Sequence, residues 1–448
     1  MPRRKNLKQA MKIGLVIDYF KPHAIGGAER STGELARALV ERGHDVTVLT
    51  PNYGAPPEEK DEGVRICRYW FPRRIEPGRI APAFWIKNPL YYRLSAREIV
   101  RIARRLEIEI LHAQNTFVQT ATYRAARRLG IPCVATVRDL GSLCSVGHLC
   151  SVGYDPEHIC SKSFFRCARE FADCYHSRAG LGFRIRFVFD TLFKQVDLIG
   201  RQRILRRYSR IIFVSHGLKD EYLRRGFRAQ AERLAVAYNL PPNVPAMNNK
   251  EGSPPPEWRL PQTAPIVTYA GKLSLGKGAH VLFEAIPRVV ERRPDVVFVF
   301  AGRPTPQVEI PTTIPDCNLR VLGQIPPQQV YALLKRSSLF VLPSVWPEPL
   351  SSAVLEALAF GVPVVGTKCG GTPEQIVDGE NGLLVKRGDH AALAEAILKA
   401  LANANALRRM SERCQTVLRE RFDPDGIISE MLAIYASAIA ECERTRPQ

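Results

Sequence analysis

Twice along this chain an apolar strand pattern leads through a glycine-bearing loop into a helical pattern and on to another strand, and a proline-rich stretch separates the two runs. The first run opens with MKIGLVID, passes through KPHAIGGAE into RSTGELARALVERGH and continues as DVTVLT. A helical pattern near residues 94–106, the strand IEILHA, the helix TATYRAARRLG and the strands PCVATVRD and RIIFVS prolong it. Such alternation predicts an α/β fold in which a parallel sheet is covered by helices on both faces. Between Tyr238 and Pro265 the segments NLPPNVP, NNKEGSPPP and LPQTAP rule out a regular helix or a central strand, because proline lacks the amide and fixes φ. The pattern then restarts with PIVTYAGKL, HVLFEAIPRVV, VVFVFAG, QQVYALLKRS, SLFVLPS, VPVVGT and GLLV, and a last helix runs from Pro424 to Glu443. The expected division is a first domain over 11–240, a linker over 241–265, a second domain over 266–423 and a closing helix over 424–445.

With 448 residues, 45% hydrophobic and 24% charged, the chain can bury the cores of two such domains. Its net charge of +20 suits a partner that carries phosphates, whether nucleic acid, anionic lipid or a nucleotide-linked substrate. The apolar run IGLVI is ended by Asp18, too soon for a signal peptide, and no long uncharged apolar run predicts a spanning helix, so a cytoplasmic protein is expected. Eleven cysteines, an odd count without a secretory signal, favour reduced thiols.

Glu348 and Glu356 stand eight positions apart in PEPLSSAVLEALAFGVPVVGTKCGGTPEQI. On one helix they would lie about 12 Å apart along the axis, a span that fits a long ligand. Pro349 suits a first helical turn, and the amides of Leu350, Ser351 and Ser352 would then be free to donate to an anion such as a diphosphate. Upstream, the loop GKLSLGKG follows a strand and precedes a helix, so Lys272 and Lys277 lie where open α/β sheets bind ligands. The loop nearly spells a P-loop, but Gly278 stands where magnesium coordination needs Ser or Thr.

These segments resemble retaining glycosyltransferases of family 4, whose fold is GT-B, two Rossmann-like domains facing each other across a cleft. The resemblance implies transfer of a sugar from a nucleotide diphosphate sugar to a glycan or lipid-linked hydroxyl acceptor in cell-surface polysaccharide or glycolipid synthesis, with no cofactor and no metal. It implies that Glu348 and the amides of Leu350, Ser351 and Ser352 sit at the sugar end, Lys272 and Lys277 at the diphosphate and Glu356 at the ribose hydroxyls. Gly26 and Gly27, by themselves a tight turn, resemble the glycine loop that approaches the donor phosphates. Asn239 matches the step between the domains.

Arg138 and Asp139 match the catalytic His-Asp step of the pattern except that Arg138 stands where the pattern has His. An arginine cannot act as a base at neutral pH, so Arg138 is expected to serve as a fixed cation. His112 and Asn115 end the preceding strand, and a cleft role and a structural one are equally open to them. Residues 141–205 follow no common pattern. Cys144, Cys150, Cys160, Cys167 and Cys174 crowd there with His148, His158 and His176, yet no C-x2-C pair occurs, so free thiols are expected rather than zinc. Next comes GLGFRIRFVFDTLFKQVDLIGRQRILRRYSR, a basic apolar stretch that suits either an anionic membrane face or an ordinary core helix with a solvated side. Two other functions remain open on sequence grounds. One is a nucleotide-sugar epimerase on the same fold. The other is a non-catalytic adaptor for membrane or nucleic acid, although no aromatic RNA-recognition pattern supports nucleic acid.

Overall fold

The computed structural model describes residues 10–24, 26–79, 81, 88–144, 180–182, 197–242 and 254–445, with residues 166, 169 and 185. The first domain runs β1 (Lys12–Val16), α1 (Gly27–Glu41), β2 (Asp45–Pro51), β3 (Glu58–Asp61), β4 (Val64–Tyr69), α2 (Pro89–Arg105), β5 (Ile110–Ala113), α3 (Gln119–Leu129), β6 (Cys133–Val137), β7 (Arg210–Phe213), α4 (His216–Arg224) and β8 (Leu234–Val236). The sheet order is β3-β4-β2-β1-β5-β6-β7-β8, parallel throughout except where β3 meets β4. That antiparallel edge is a departure from the alternation expected of the sequence. It is a hairpin closed by Glu62 and Gly63, both with positive φ (47° and 83°), as a two-residue turn between twisted strands requires.

The second domain runs β9 (Ile266–Ala270), α5 (Ala279–Arg292), β10 (Val297–Ala301), β11 (Leu319–Gly323), α6 (Pro327–Arg336), β12 (Leu339–Leu342), α7 (Ser352–Ala359), β13 (Val364–Thr367), α8 (Thr372–Gln375), β14 (Gly382–Val385), α9 (His390–Leu401) and α10 (Ala404–Arg421). Its sheet is wholly parallel, in the order β11-β10-β9-β12-β13-β14. Strands buried on both faces explain the unbroken apolar runs: every residue of CVATV in β6 and VFVFA in β10 is buried.

A last helix, α11 (Pro424–Thr445), returns to the first domain. Ile428, Met431 and Tyr435 pack with Ile13, Leu15, Val134 and Ile212 in one core. This helix takes His112 out of any cleft role. The His112 ring is fully buried, with Nδ1 2.7 Å from the Tyr435 hydroxyl and Nε2 2.6 Å from Thr136 Oγ1. Burial, and then the nearby Arg138 charge, hold its pKa well below the usual histidine range, so it stays neutral and structural.

Each sheet has one point where the strand order reverses, and parallel sheets open a crevice there at the carboxyl ends of the strands. In the first sheet that point lies between β1 and β5, and in the second between β9 and β12. Asp18 and Asn115 follow the first pair; the loops bearing Lys277 and Glu348 follow the second.

Candidate functional site

The loop after β9 is drawn against the loop after β12 by backbone. The carbonyl of Gly276 accepts from the amides of Val345 (3.0 Å) and Trp346 (3.1 Å). Gly278 has φ 71°, and a Cβ there would stand 1.8 Å from the Pro343 carbonyl oxygen, so only glycine permits the approach. The result brings Lys277 Nζ to 2.7 Å from both carboxylate oxygens of Glu348. Ser344 Oγ (3.1 Å) and Trp346 Nε1 (3.0 Å) also donate to Glu348 Oε2, and the ammonium lies 5.2 Å from the Trp346 ring centroid. Glu348 is 4% exposed, so a nearly dry carboxylate faces one cation and two neutral donors.

Here the structure corrects the sequence expectation. Glu348 is not on a helix with Glu356: α7 begins at Ser352, with Ser351 as its N-cap, whose hydroxyl accepts from the Val354 amide. Prolines on both sides of Glu348 account for this, since the residue before a proline is pushed out of helical conformation. The 12 Å axial span therefore does not apply. Nor is every amide after Pro349 free, because that of Ser351 donates to Gln375 Oε1 at 3.0 Å. Leu350 is buried, and Ser352 opens α7 beside Gly27, whose added Cβ would come within 3.4 Å of Ser352 Oγ. Lys272 is exposed, and its carbonyl rather than its ammonium is engaged, by the Tyr269 hydroxyl at 2.7 Å.

Glu356 lies on α7, 6% exposed, and meets the first domain: Arg30 Nη1 on α1 is 2.7 Å from its Oε1. The start of α1 is set by Glu29, which accepts from the Gly26 amide at 2.6 Å, the half of a capping box that a glycine N-cap allows. Glycine 26, glycine 27 and Arg30 thus form one face that meets α7 across the cleft.

Arg138 is spent largely on structure. Its guanidinium donates to the Gln114 carbonyl (3.0 Å), to Gln114 Oε1 (2.8 Å) and to Asn239 Oδ1, tying the end of β5 to the start of the interdomain passage. Burial lowers its pKa to about 10, against the pull of Glu29 and Glu34, so it remains a cation at neutral pH. Asp139 accepts from the Gly141 amide (2.7 Å) and Thr116 Oγ1 (3.2 Å), which shapes its own turn.

Two features carry no pattern legible in the sequence. One is a lock between the domains. Ser215 Oγ donates to the Pro349 carbonyl at 2.5 Å, and the amides of His216 and Gly217, at the start of α4, donate to Glu374 at 2.9 and 2.7 Å. The other is Asp18, 5% exposed and held by the Asn115 side-chain amide. Burial, and then Glu29, push its carboxyl up to about 7. A folded-state pKa above the unfolded one means that the stability tied to this proton is fully present below about pH 4 and is lost as pH rises through about 7. Asp18→Asn is therefore expected to be more stable than wild type at pH 8 by about 2–4 kcal/mol, a difference that disappears near pH 4. Urea denaturation at the two pH values checks this, and an equal difference at both would remove the buried proton from the account.

Among the described residues, no three His, Cys, Asp or Glu side chains gather so as to hold a metal ion, and no helix is long and apolar enough to cross a membrane. Cys144 is a free thiol, whereas Cys150, Cys160, Cys167, Cys174, His148, His158 and His176 lie outside the described residues. So do residues 183–184 and 186–196 of the basic apolar stretch, but Leu181, Ile185 and Ile199 within it are 73%, 50% and 47% exposed.

Comparison with known proteins matches residues 25–240 to the description Glycosyltransferase Family 4 and residues 254–417 to Glycosyl transferases group 1. Glycogen synthase of Mycobacterium tuberculosis is 24% identical over 455 aligned residues, covering 96% of this chain and 95% of that protein. Spore coat protein SA of Bacillus subtilis is 27% identical over 38% of this chain, which spans about half (48%) of that protein's length. Among solved structures, sucrose-phosphate synthase from Thermosynechococcus elongatus superposes with a TM-score of 0.68 at 19% identity, over 96% of this chain and 100% of that one. Anabaena HepE in complex with UDP-glucose gives 0.63 at 19% identity, over 94% and 99%. The likeness to those structures is one of fold, GT-B, with two parallel-sheet α/β domains.

Proposed function

Because the chain belongs to the family 4, group 1 glycosyltransferases, we propose that it moves a sugar from a nucleotide diphosphate sugar to a hydroxyl acceptor with retention of anomeric configuration. The observation that carries this reading is the convergence of Lys277 and Glu348 at the reversal point of the second sheet, with Glu356 on the next helix. A lysine within 2.7 Å of a carboxylate is set to exchange that partner for a diphosphate, and electrostatic stabilisation acts best where charge develops. In the proposed reaction the bond from the anomeric carbon to the diphosphate oxygen breaks and its electron pair goes to the diphosphate. The acceptor oxygen bonds to the same carbon face and gives its proton to that leaving phosphate. Lys277 would hold the diphosphate, Glu348 would orient the sugar and Glu356 would accept from the ribose hydroxyls. Arg138 would act as a fixed cation near the cleft. The UDP-glucose bound by HepE is a guide to donor class only.

A thermal-shift panel of nucleoside diphosphates and nucleotide sugars tests the reading, since a ligand that binds only the folded state raises its melting temperature. One or more nucleotide sugars should stabilise the protein, and Glu356→Ala should weaken the matching nucleoside diphosphate by about tenfold or more. A panel with no stabilising nucleotide would sink the donor assignment. Release of altered nucleotide sugar without any acceptor would favour an epimerase instead.

The proposal extends to surface glycan or glycolipid synthesis at the cytoplasmic membrane face. Its support is that Leu181, Ile185 and Ile199, and Arg203, Arg206 and Arg207 of the same stretch of sequence, are exposed. Binding to anionic liposomes at low salt is expected, and replacing the three arginines by serine should release the protein. Indifference of the wild type to such liposomes would remove the membrane from the account.

A further inference from the structure

Arg30 faces Glu356 across the cleft, and the proposed reaction gives it no task. It sits on α1 of the first domain, one turn beyond the glycine loop, yet its guanidinium serves the second domain. Nη1 contacts Glu356 Oε1 at 2.7 Å and donates to the Tyr331 hydroxyl of α6 at 3.1 Å. The Tyr331 ring in turn packs against Phe360, just past the end of α7, with centroids 5.6 Å apart. Glu356, Tyr331 and Phe360 therefore form one wall, and Arg30 is its fastening to the opposite domain.

The side chain of Glu356 is 8% accessible, against 38% for Arg30. A carboxylate buried to that degree without a cation neutralises itself by taking up a proton. Burial does raise the Glu356 pKa, and Arg30 is the group that opposes the rise. Glu34, one helical turn further along α1, has its own carboxyl pushed up to about 7 by burial, so near neutral pH it carries only part of a negative charge with which to compete for Arg30. An ionised carboxylate offers about four lone-pair positions over two oxygens. Arg30 takes one, on Oε1, which leaves acceptor positions for the two ribose hydroxyls.

We propose that Arg30 is a positioning residue for the donor: from across the cleft it keeps Glu356 charged and aimed, so that the carboxylate recognising the ribose diol is completed only when the two domains are closed. This rests on the reading of Glu356 as the ribose acceptor. Two consequences follow from the geometry. The ribose site belongs to both domains, although neither Arg30 nor Tyr331 needs to touch the nucleotide. Selectivity for a nucleotide with both ribose hydroxyls depends on a first-domain side chain.

The test compares UDP, ADP and GDP with their 2′,3′-dideoxy counterparts by calorimetry, on the full chain. Wild type is expected to prefer a ribonucleotide over its dideoxy form by about tenfold or more, since each charge-assisted hydrogen bond to Glu356 is lost in the analogue. Arg30→Gln should reduce that preference to within about threefold, while Arg30→Lys, which keeps a cation but not the planar fork, should recover part of it. Melting curves establish that both variants are folded; Tyr331→Phe supplies a second handle on the same wall and should weaken the preference less. A folded Arg30→Gln protein with the full ribose preference overturns the proposal. If Glu356→Ala loses the preference while Arg30→Gln keeps it, the donor reading stands and the role of Arg30 falls. If wild type binds none of the three diphosphates, both fall together.

Discussion

Lys277→Met is expected to lower sugar transfer by about 10²- to 10³-fold and to destabilise the protein by about 3 kcal/mol, whereas Glu348→Gln should impair transfer comparably and stability much less. The asymmetry comes from solvent. The Lys277 side chain is 30% accessible and that of Glu348 only 5%. With Lys277 gone, the carboxylate keeps Ser344 and Trp346 as donors but loses the cation paired with it, and breaking a buried pair from the cation's side is the costly direction. Glu348→Gln instead frees an ammonium that can turn toward water, and the amide can still accept from Ser344 and Trp346. Urea denaturation of the two variants, alongside turnover with the matched donor, separates the effects. Equal destabilisation by both would mean that the pair is not closed to solvent as the accessibilities indicate.

Gly217→Ala is expected to spread the domains and reduce transfer by about 10²-fold, while leaving α4 itself at least as stable as before. Gly217 has no positive φ, and alanine is the better helix former, so the first domain alone gains from the change. The obstacle is in the other domain. A Cβ at Gly217 would lie 2.1 Å from the carbonyl oxygen of Gly370, and that glycine in turn has φ 55° and no room for a side chain, its own Cβ position being 2.1 Å from the Glu348 carbonyl oxygen. A stack of Gly217, Gly370 and the Glu348 backbone therefore joins the hinge to the site. Relief of the clash must displace either the domains or Glu348. Solution scattering should show a larger radius of gyration, and the amides of His216 and Gly217 should lose the protection that Glu374 provides. Unchanged scattering with unchanged turnover would show that the lock tolerates more space than the structure allows.

The fold class, two parallel α/β sheets, is legible because its cause is local. Parallel strands are buried on both faces and helices on one, so the residues of β1, β6, β9 and β10 and of α1 and α5 announce their period without reference to anything distant. The break between the sheets was legible because proline excludes both kinds of element. The hairpin of β3 and β4 is not legible in the sequence, because EEKD is a short polar edge with no apolar alternation to mark it. Even the lysine and glutamate of the second domain could be named, since the loops that carry them follow recognisable strands.

What no local pattern contains is the partner of each group. The eight-residue interval between Glu348 and Glu356 suggested one helix, and two prolines dissolved it into a loop and a short helix whose carboxylates look in different directions for their cations. Glu348 finds Lys277 from 71 positions away, and Glu356 finds Arg30 from the other domain. Arg138, which the sequence marked as a departure near the cleft, turned out to bind Gln114 and Asn239, and His112 was sealed under a helix more than 300 residues downstream. The sequence by itself determined the two α/β layers and the chemistry available at their strand ends, because periodicity and side-chain type are properties of each segment. Only the tertiary structure decided which charges are buried, paired or free, because those depend on distance and on water exclusion between segments that packing alone brings together.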